Sequence, residues 1–314
     1  MKKICSLLDL IGNTPIKKLN VIGRENDVNI WVKLENLNPS GSIKDRIALQ
    51  IIEDAERRGD IKKGYTIIES SSGNTAIALS FVGGLKGYRR VIFLPEVVAK
   101  EKIRMIERYG AECKLVKVGE EFYDSAIHGS HIEIPGRMMC LKMEEKEPET
   151  WWARQFSNPS NYKAHMKLGE EIIAQMENNI DAFATSVGTG GTIFGIAQIL
   201  KNNDNNVKII AVEPAEASHV SLTNFKIIPG LTGGILKNIL DSKLVDEIVS
   251  VTDNEAIKMS RRLMKEEGLF VGVSSGANVL TALNVAKSIG KNSNVVTVLP
   301  DRGDRYVTSE HYIT

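Results

Sequence analysis

The sequence predicts an α/β fold in which mostly parallel sheets are flanked by helices. Short apolar runs rich in Val and Ile alternate along the 314 residues with segments whose apolar residues recur at helical spacing. This alternation is typical of βαβ units, whose strands pair in parallel and whose helices cover both faces of the sheet. The length allows two domains or one large α/β unit, and no internal repeat is present.

The predicted elements follow one another regularly along the chain. Strand-like runs lie at 30–34, 65–68, 91–94, 113–118, 182–187, 207–212, 247–251 and 295–299. Helical patterns lie at about 44–58, 76–82, 100–108, 163–176, 193–200, 254–267 and 278–289. Residues 119–149 show no sustained period, and we expect surface loops and short helices there.

The segment Asn-Pro-Ser-Gly-Ser-Ile-Lys-Asp-Arg at 38–46 places Lys44 directly after a turn of small residues, where a helical pattern begins. A lysine is unusual at a helix N-terminus because the macrodipole disfavours a positive charge there. It is either a solvated surface lysine or a nucleophile with a depressed pKa that can form a Schiff base. The segment alone leaves both interpretations open.

Two loops rich in hydroxyl groups lead into predicted helices. The loop Glu-Ser-Ser-Ser-Gly-Asn-Thr at 69–75 offers N–H groups and hydroxyls that suit a carboxylate or a phosphate. The segment Val-Gly-Val-Ser-Ser-Gly-Ala at 271–277 is similar in composition. Serine and asparagine are also ordinary helix caps, so each loop taken alone favours a structural role.

A third loop, Gly-Thr-Gly-Gly-Thr at 188–192, lies between a predicted strand and a predicted helix. Its glycines permit close backbone approach, and the helix dipole favours an anion. The dinucleotide pattern G-x-G-x-x-G would need glycine at Ile193, and a P-loop would need a lysine that is missing here. The loop therefore indicates a phosphate that is not held in either of the common nucleotide-binding patterns.

One cofactor accounts for all four segments. Pyridoxal phosphate needs a lysine for its aldehyde, a cradle for its phosphate, and polar partners for its phenolate oxygen and ring nitrogen. The chain resembles the cysteine synthase and cystathionine β-synthase family, of the tryptophan-synthase-β fold type, also called fold type II. The likeness covers nearly the whole chain, from Ile-Gly-Asn-Thr-Pro at 11–15 through Gln-Phe-Ser-Asn-Pro at 155–159 to Pro-Asp-Arg-Gly-Asp-Arg-Tyr at 300–306.

The resemblance implies two interleaved domains, each a mostly parallel sheet flanked by helices. The smaller domain comprises residues 39–154 and carries the Schiff-base lysine and the substrate-carboxylate loop. The larger domain comprises residues 1–38 and 155–314 and holds the phosphate. The cofactor is expected between the two domains at the carboxyl ends of the strands, where α/β sheets usually bind ligands.

The resemblance also implies a role for each motif residue. Lys44 is the Schiff-base lysine and the base that removes the Cα proton, Asn74 contacts the phenolate oxygen, and Ser274 faces the pyridine nitrogen. A hydroxyl cannot hold that nitrogen protonated as a carboxylate would, which favours β-elimination and β-replacement over transamination. The implied phosphate ligands are Gly188, Thr189, Gly190, Gly191 and Thr192; the implied substrate residues are Ser71, Ser72, Gly73, Asn74, Thr75 and Gln155, with Gly230 and Thr232 in the loop that closes on the substrate.

The implied reaction is β-replacement on a β-substituted L-alanine, in which O-acetyl-L-serine and sulfide give L-cysteine through an aminoacrylate. O-phosphoserine, serine and cysteine stay open as donors. They correspond respectively to a siderophore-precursor synthase, a cystathionine β-synthase-like enzyme and a hydrogen sulfide-producing enzyme. Thr232 departs from the commonest family pattern in the closing loop and leaves the second substrate open. The segment 301–306 resembles the branch with the bacterial B-type cysteine synthases, and its Asp301 leaves the environment of Ser274 open. A phosphate leaving group calls for arginine, and none lies between Leu200 and Arg261, which favours O-acetylserine.

Composition argues against other partners. Lys and Arg total 40 against 39 Asp and Glu, and aromatic residues make up 6%, so no nucleic acid is expected. Cys5, Cys113 and Cys140 form no CxxC pair, which predicts reduced thiols in a cytoplasmic protein and no metal site. No run is long and apolar enough to span a membrane, and Asp9 interrupts the N-terminal apolar run too early for a signal peptide.

The resemblance further implies amino-acid substrates, a homodimer, and serine acetyltransferase as a partner. Two hypotheses from other classes stay open. The first is a catalytically silent protein that binds pyridoxal phosphate as a sensor. The second is a nicotinamide dehydrogenase, suggested by the βαβ alternation and the glycine loop.

Overall fold

A computed structural model describes residues 3–119, 133–217 and 234–307. Its strands are β1 Ile16–Lys18, β2 Asn29–Lys33, β3 Thr66–Ser70, β4 Arg89–Pro95, β5 Glu112–Val116, β6 Thr150–Trp152, β7 Ala182–Ser186, β8 Lys208–Pro214, β9 Glu247–Val251 and β10 Asn294–Val298. They form a sheet in the order β1-β2-β10-β7-β8-β9 and a second sheet in the order β5-β4-β3-β6. The paired strands run parallel, apart from the antiparallel pair β1–β2.

Helices connect and cover these strands. They are α1 Lys44–Arg58, α2 Asn74–Leu85, α3 Lys100–Arg108, α4 Ile134–Lys146, α5 Ser160–Met176, α6 Gly191–Asn203, α7 Gly234–Ser242, α8 Asp253–Glu267 and α9 Val273–Ile289. Parallel strands joined through helices confirm the predicted α/β fold class. Within the described ranges, no helix has the length and apolarity that crossing a membrane requires.

The six-stranded sheet is buried on both faces, as its apolar runs predict. Successive side chains of β10 illustrate this: Val295 joins the cluster that packs against α8 and α9, whereas Val296 joins the cluster against α5 and α6. In the four-stranded sheet, every residue of β3 is buried. Strands covered on both faces lose the alternation of apolar and polar residues, which is why the sequence shows continuous apolar runs instead.

The region after residue 119 differs from the prediction. The structure has a helix of 13 residues, α4, where we expect loops and short helices. Its buried positions include Gly136 and Arg137, while Met138 and Met139 are exposed. Apolar side chains therefore do not mark the buried face of α4, so the sequence shows no apolar residues at helical spacing there. The three-residue strands β1 and β6 are likewise too short to show a pattern.

The four-stranded sheet uses strands between residues 66 and 152, while the six-stranded sheet combines the N-terminal arm with strands after residue 182. The domain boundaries at 39–154 and at 1–38 with 155–314 stay a prediction. The carboxyl ends of β3, β7 and β10 lead into the hydroxyl-rich loop, the glycine loop and residues 299–306 respectively. Such strand ends are where open α/β sheets usually bind ligands.

Candidate active site

A tight turn places Lys44 at the first position of α1. Gly41 has φ +89°, a left-handed conformation that favours glycine. The turn is held to the helix by Asp45, whose carboxylate accepts hydrogen bonds from the Ser40 N–H at 2.7 Å and from the Ser40 hydroxyl. Burial raises the pKa of Asp45 to about 6. The predicted combination of small-residue turn, helix start and lysine is therefore present.

A buried ion-pair cluster fixes the first turn of α1. Arg46 donates to Glu35 through Nε at 2.7 Å and Nη2 at 2.9 Å, and to Glu171 of α5 through Nη1 at 2.7 Å and Nη2 at 2.8 Å. Burial opposes the charge on Arg46, but the two carboxylates outweigh it and raise the pKa of Arg46. Because the cluster joins the N-terminal arm, α1 and α5, it restrains the backbone that carries Lys44.

Lys44 lies in a cavity of about 160 Å³ at the carboxyl ends of the strands. The amine approaches from α1, the glycine loop and the start of α6 form one wall, and the start of α9 forms another. The cavity is lined by the predicted residues Lys44, Asn74, Gly188, Thr189, Gly190, Thr192 and Ser274, together with Ile43, Thr185, Ser186, Ile193, Val298, Pro300, Asp301 and Tyr306.

The surroundings of Lys44 disfavour its charged form. Burial lowers the pKa of Lys44 to about 8, and the nearby Asp301 carboxylate partly opposes this shift. A pKa near 8 leaves about a tenth of the amine neutral at pH 7, roughly three hundred times the fraction for an ordinary lysine. The amine is thus available both as a nucleophile and as a base.

The Asn74 side chain is hydrogen-bonded to two residues near the end of the described chain, Asp301 and Arg305. Its Nδ2 donates to Asp301 at 2.6 Å, and its Oδ1 accepts from Arg305. Asp301 is 1% exposed and also accepts from the Tyr306 hydroxyl at 2.6 Å. Burial raises the pKa of Asp301. One proton of the Asn74 amide group is used by Asp301, so the other can be donated to a ligand in the cavity.

Hydrogen bonding determines which way the Thr189 hydroxyl points. Its oxygen accepts from Asn161 Nδ2 at 3.0 Å and from the Gly191 N–H at 3.3 Å. A hydroxyl has two acceptor sites and one proton. With both acceptor sites used, Thr189 can act only as a donor, and it lines the cavity.

Thr192 has a similar partner one helical turn further along α5. His165 is buried, and its Nε2 lies 3.2 Å from the Thr192 hydroxyl oxygen. Burial, reinforced by the charges of Lys44 and Arg46, lowers the pKa of His165 well below its usual value, so the ring is neutral. Nδ1 has no hydrogen-bond partner in the described ranges. A buried N–H is rarely left unpaired, so the proton is assigned to Nε2, which then donates to Thr192.

The glycine loop fits a phosphate sterically. A Cβ atom on Gly188 would meet nothing within 4 Å, which leaves room for a ligand on that side of the loop. A Cβ atom on Gly191 would lie 1.9 Å from Asn161 Oδ1, so that residue must be glycine for the loop to pack on α5. Two threonine donors and the N-terminus of α6 thus surround an open space that suits an anion. Gly191 itself does not line the cavity.

Of the predicted substrate residues that the structure describes, Asn74 lines the cavity, whereas Ser71, Ser72, Gly73, Thr75 and Gln155 do not. The Thr75 hydroxyl donates to Gln155 Oε1 at 2.6 Å, and the Gln155 N–H donates to Glu69 at 2.9 Å. Ser71 is buried and accepts from the Gly73 N–H at 3.3 Å. The donors of Ser72 are directed to Glu133. Gly230 and Thr232 lie outside the described residues.

Several residues near the site were missed by the sequence prediction. Asn161 and His165 are four residues apart on α5, so they share a helix face, but nothing in the sequence links that face to the glycine loop. Tyr306 belongs to a recognised motif, yet its contact with Asp301 is a tertiary feature. In the described ranges, no group of three His, Cys, Asp or Glu side chains could hold a metal ion.

The cavity and fold together define a fold-type II pyridoxal-phosphate enzyme. Residues 7–301 match the family described as pyridoxal-phosphate dependent enzyme. A cysteine synthase from Staphylococcus aureus is 41% identical over 317 residues, which covers 99% of this chain and 98% of the relative. The chain therefore belongs to the pyridoxal-phosphate-dependent enzymes, and within them to the cysteine synthase and cystathionine β-synthase family.

Solved structures are similar over the same extent. An O-ureido-L-serine synthase superposes with a TM-score of 0.87 at 34% identity, covering 99% of this chain and 96% of that one. A hydrogen sulfide-producing enzyme from Fusobacterium nucleatum gives 0.85 at 34% identity, covering 98% and 99%. These comparisons confirm the family, the fold class and the pyridoxal 5′-phosphate cofactor that the sequence implies.

Proposed function

We propose that this chain converts O-acetyl-L-serine and sulfide to L-cysteine and acetate by β-replacement. The Cβ–O bond to acetate breaks and a Cβ–S bond to sulfide forms. The observation that carries the proposal is the single cavity that contains the Lys44 amine, the Asn74 amide, the Thr189 hydroxyl and the Ser274 hydroxyl. Full-length similarity to a cysteine synthase supports the choice of substrates.

The chain's own residues divide the chemistry among them. Bound pyridoxal phosphate supplies an electron sink for the negative charge that develops at the substrate Cα. Lys44 holds the cofactor aldehyde and, once released, takes the Cα proton on its Nζ atom. Its lowered pKa supports both roles, because each requires the neutral amine. Ser274 is assigned to the ring nitrogen, and Asp301 positions the Asn74 amide.

The substrate carboxylate is assigned to the loop at 71–75 and Gln155. The Thr75–Gln155 hydrogen bond fixes this loop against the segment that follows β6. The loop leads directly into Asn74, which lines the same cavity as Lys44. The roles of Gly230 and Thr232 in closing on the substrate stay predictions, as do a homodimer, a serine acetyltransferase partner and a cytoplasmic location.

The substrate assignment is tested by supplying donors separately to the protein loaded with pyridoxal phosphate. O-acetyl-L-serine with sulfide should yield L-cysteine and acetate faster than O-phosphoserine or serine does. Cysteine alone is a second candidate donor, favoured by the likeness to the hydrogen sulfide-producing enzyme. If sulfide release from cysteine has the higher kcat/KM, the direction proposed here is wrong. If no donor turns over, the silent sensor is the better description.

Replacing Thr189 by valine should weaken cofactor binding about tenfold to a hundredfold. The change removes the hydroxyl donor aimed at the phosphate, and a hydrogen bond to a charged group contributes about 1.5–3 kcal/mol. Equilibrium dialysis of the apoprotein against pyridoxal phosphate measures the affinity. Thr281→Val is the matched control, because Thr281 is buried but does not line the cavity. Equal affinities for the two variants would place the phosphate elsewhere.

The rate at which the apoprotein takes up cofactor should rise with pH and level off above about pH 8. Because burial lowers the pKa of Lys44 to about 8, the reactive neutral amine declines about tenfold per pH unit below that value. Stopped-flow absorbance at a fixed concentration of pyridoxal phosphate measures the rate. The same reaction with Nα-acetyl-lysine amide corrects for the pH dependence that comes from titration of the cofactor itself. A rise that continues to about pH 10.5, as for an ordinary lysine, would contradict the assignment.

A further inference from the structure

The donors of Ser72 are already occupied by a carboxylate of the protein. The Ser72 N–H donates to Glu133 Oε1 at 2.7 Å, and the Ser72 hydroxyl donates to the same oxygen at 3.0 Å. Glu133 is 8% exposed and lies just before α4. The sequence gives no indication of this contact, since 61 residues separate the two side chains.

Two further contacts anchor Glu133. Its backbone carbonyl accepts from the Ser70 hydroxyl at 3.0 Å, and its Oε2 accepts from Arg137 Nη2 at 3.1 Å. The Arg137 side chain is buried, and its guanidinium lies 3.7 Å from the centre of the Phe156 ring. These contacts fix the Glu133 carboxylate in its hydrogen-bonding position beside Ser72.

An arriving α-carboxylate would need the same two protons. An N–H and a hydroxyl each have one proton to donate, so Ser72 cannot bind Glu133 and a substrate carboxylate fully at once. Two carboxylates at one position would also repel each other. Arg137 offers a route for displacement, because its guanidinium can continue to pair with Glu133 after the carboxylate leaves Ser72.

We propose that Glu133 occupies the substrate-carboxylate position on Ser72 in the ligand-free enzyme and that the amino acid displaces it on binding. Glu133 thereby sets the affinity for every substrate that carries an α-carboxylate, without touching the reacting atoms. The inference rests on the proposed function, in which Ser72 binds that carboxylate.

Glu133→Gln in the holoenzyme tests the competition. Glutamine can still accept from Ser72 but lacks the charge, and charge-assisted hydrogen bonds are about twice as strong as neutral ones. We expect the Kd for L-alanine, which has the carboxylate but no β leaving group, to fall about tenfold in isothermal titration calorimetry. KM for O-acetyl-L-serine should fall in parallel while kcat is unchanged. An unchanged or higher Kd overturns the inference.

Glu144→Gln is the matched control. Glu144 lies in α4 and, like Glu133, is paired with an arginine, Arg154; it also accepts from the Trp152 N–H rather than from Ser72. Its replacement should leave the Kd for L-alanine unchanged. Because Glu133→Gln removes one carboxylate from the buried Arg137, which can destabilise the fold, Glu133→Gln with Arg137→Met is the second variant. It should bind L-alanine more tightly than the wild type does.

Ser72→Ala, made in the Glu133→Gln background, separates the two levels of the proposal. If Ser72 binds the substrate, removing its hydroxyl there should raise the Kd for L-alanine at least about fivefold. No rise would reject Ser72 as a substrate residue, and the competition with it. A rise combined with no gain in affinity from Glu133→Gln alone would reject only the competition.

Discussion

Replacing Lys44 by alanine will lower kcat by at least about a thousandfold and abolish the visible absorption of lysine-linked cofactor. The variant loses the amine to which we assign two roles, holding the cofactor aldehyde and taking the Cα proton. Burial lowers the pKa of Lys44 to about 8, which favours the neutral amine that both roles require. Steady-state kinetics and an absorption spectrum of the dialysed protein measure both effects.

Lys62→Ala provides the control for this experiment, because Lys62 is exposed and does not line the cavity. It should keep both the spectrum and the rate of the wild type. The glycine loop, to which we assign the phosphate, is unchanged in Lys44→Ala, so the variant should still bind pyridoxal phosphate, although non-covalently. A Lys44→Ala variant with a normal rate would rule out Lys44 as the catalytic lysine.

Gly188→Ala should weaken cofactor binding at least about tenfold while the apoprotein keeps its thermal stability. A methyl group there meets no protein atom within 4 Å, so the empty fold loses nothing. Gly188 lines the cavity to which the phosphate is assigned, and overfilling a packed site typically costs about 1–3 kcal/mol. Equilibrium dialysis measures the affinity, and calorimetric melting of the apoprotein measures the stability.

Gly73→Ala is the corresponding probe on the substrate side. Its added methyl group also meets nothing within 4 Å, but the residue belongs to the loop assigned to the substrate carboxylate. It should raise KM for O-acetyl-L-serine and leave the affinity for pyridoxal phosphate unchanged. If the two glycine variants produce the same pattern, the assignment of separate phosphate and carboxylate loops is wrong.

The sequence predicts the parts of this fold that depend on local pattern. Most strands and helices lie within a few residues of their predicted bounds, because continuous apolar runs and helical spacing directly reflect burial on both sheet faces. Helix α4 is one exception, as are β1, β6 and α7, which are absent from the predicted elements. The buried face of α4 includes Arg137, whose guanidinium contacts the Glu133 carboxylate and the face of the Phe156 ring. No local sequence pattern predicts a buried arginine of this kind.

The sequence predicts those residues of the candidate site that belong to a local motif. Lys44 after a small-residue turn and glycines before α6 are local signals, and the structure brings both to one cavity. The groups that orient them come from distant parts of the chain. Asp301 reaches Asn74 across 227 residues, and Asn161 reaches Thr189 across 28. Such contacts follow from sheet order and helix packing, which periodicity does not reveal.

Borohydride reduction is the most direct test that Lys44 in this cavity holds the cofactor. The protein is incubated with pyridoxal phosphate, reduced, digested and mapped by mass spectrometry. We predict one pyridoxyl phosphate adduct at stoichiometric yield, attached to Lys44. An adduct at another lysine, or an active protein that carries no adduct after reduction, would contradict the central claim.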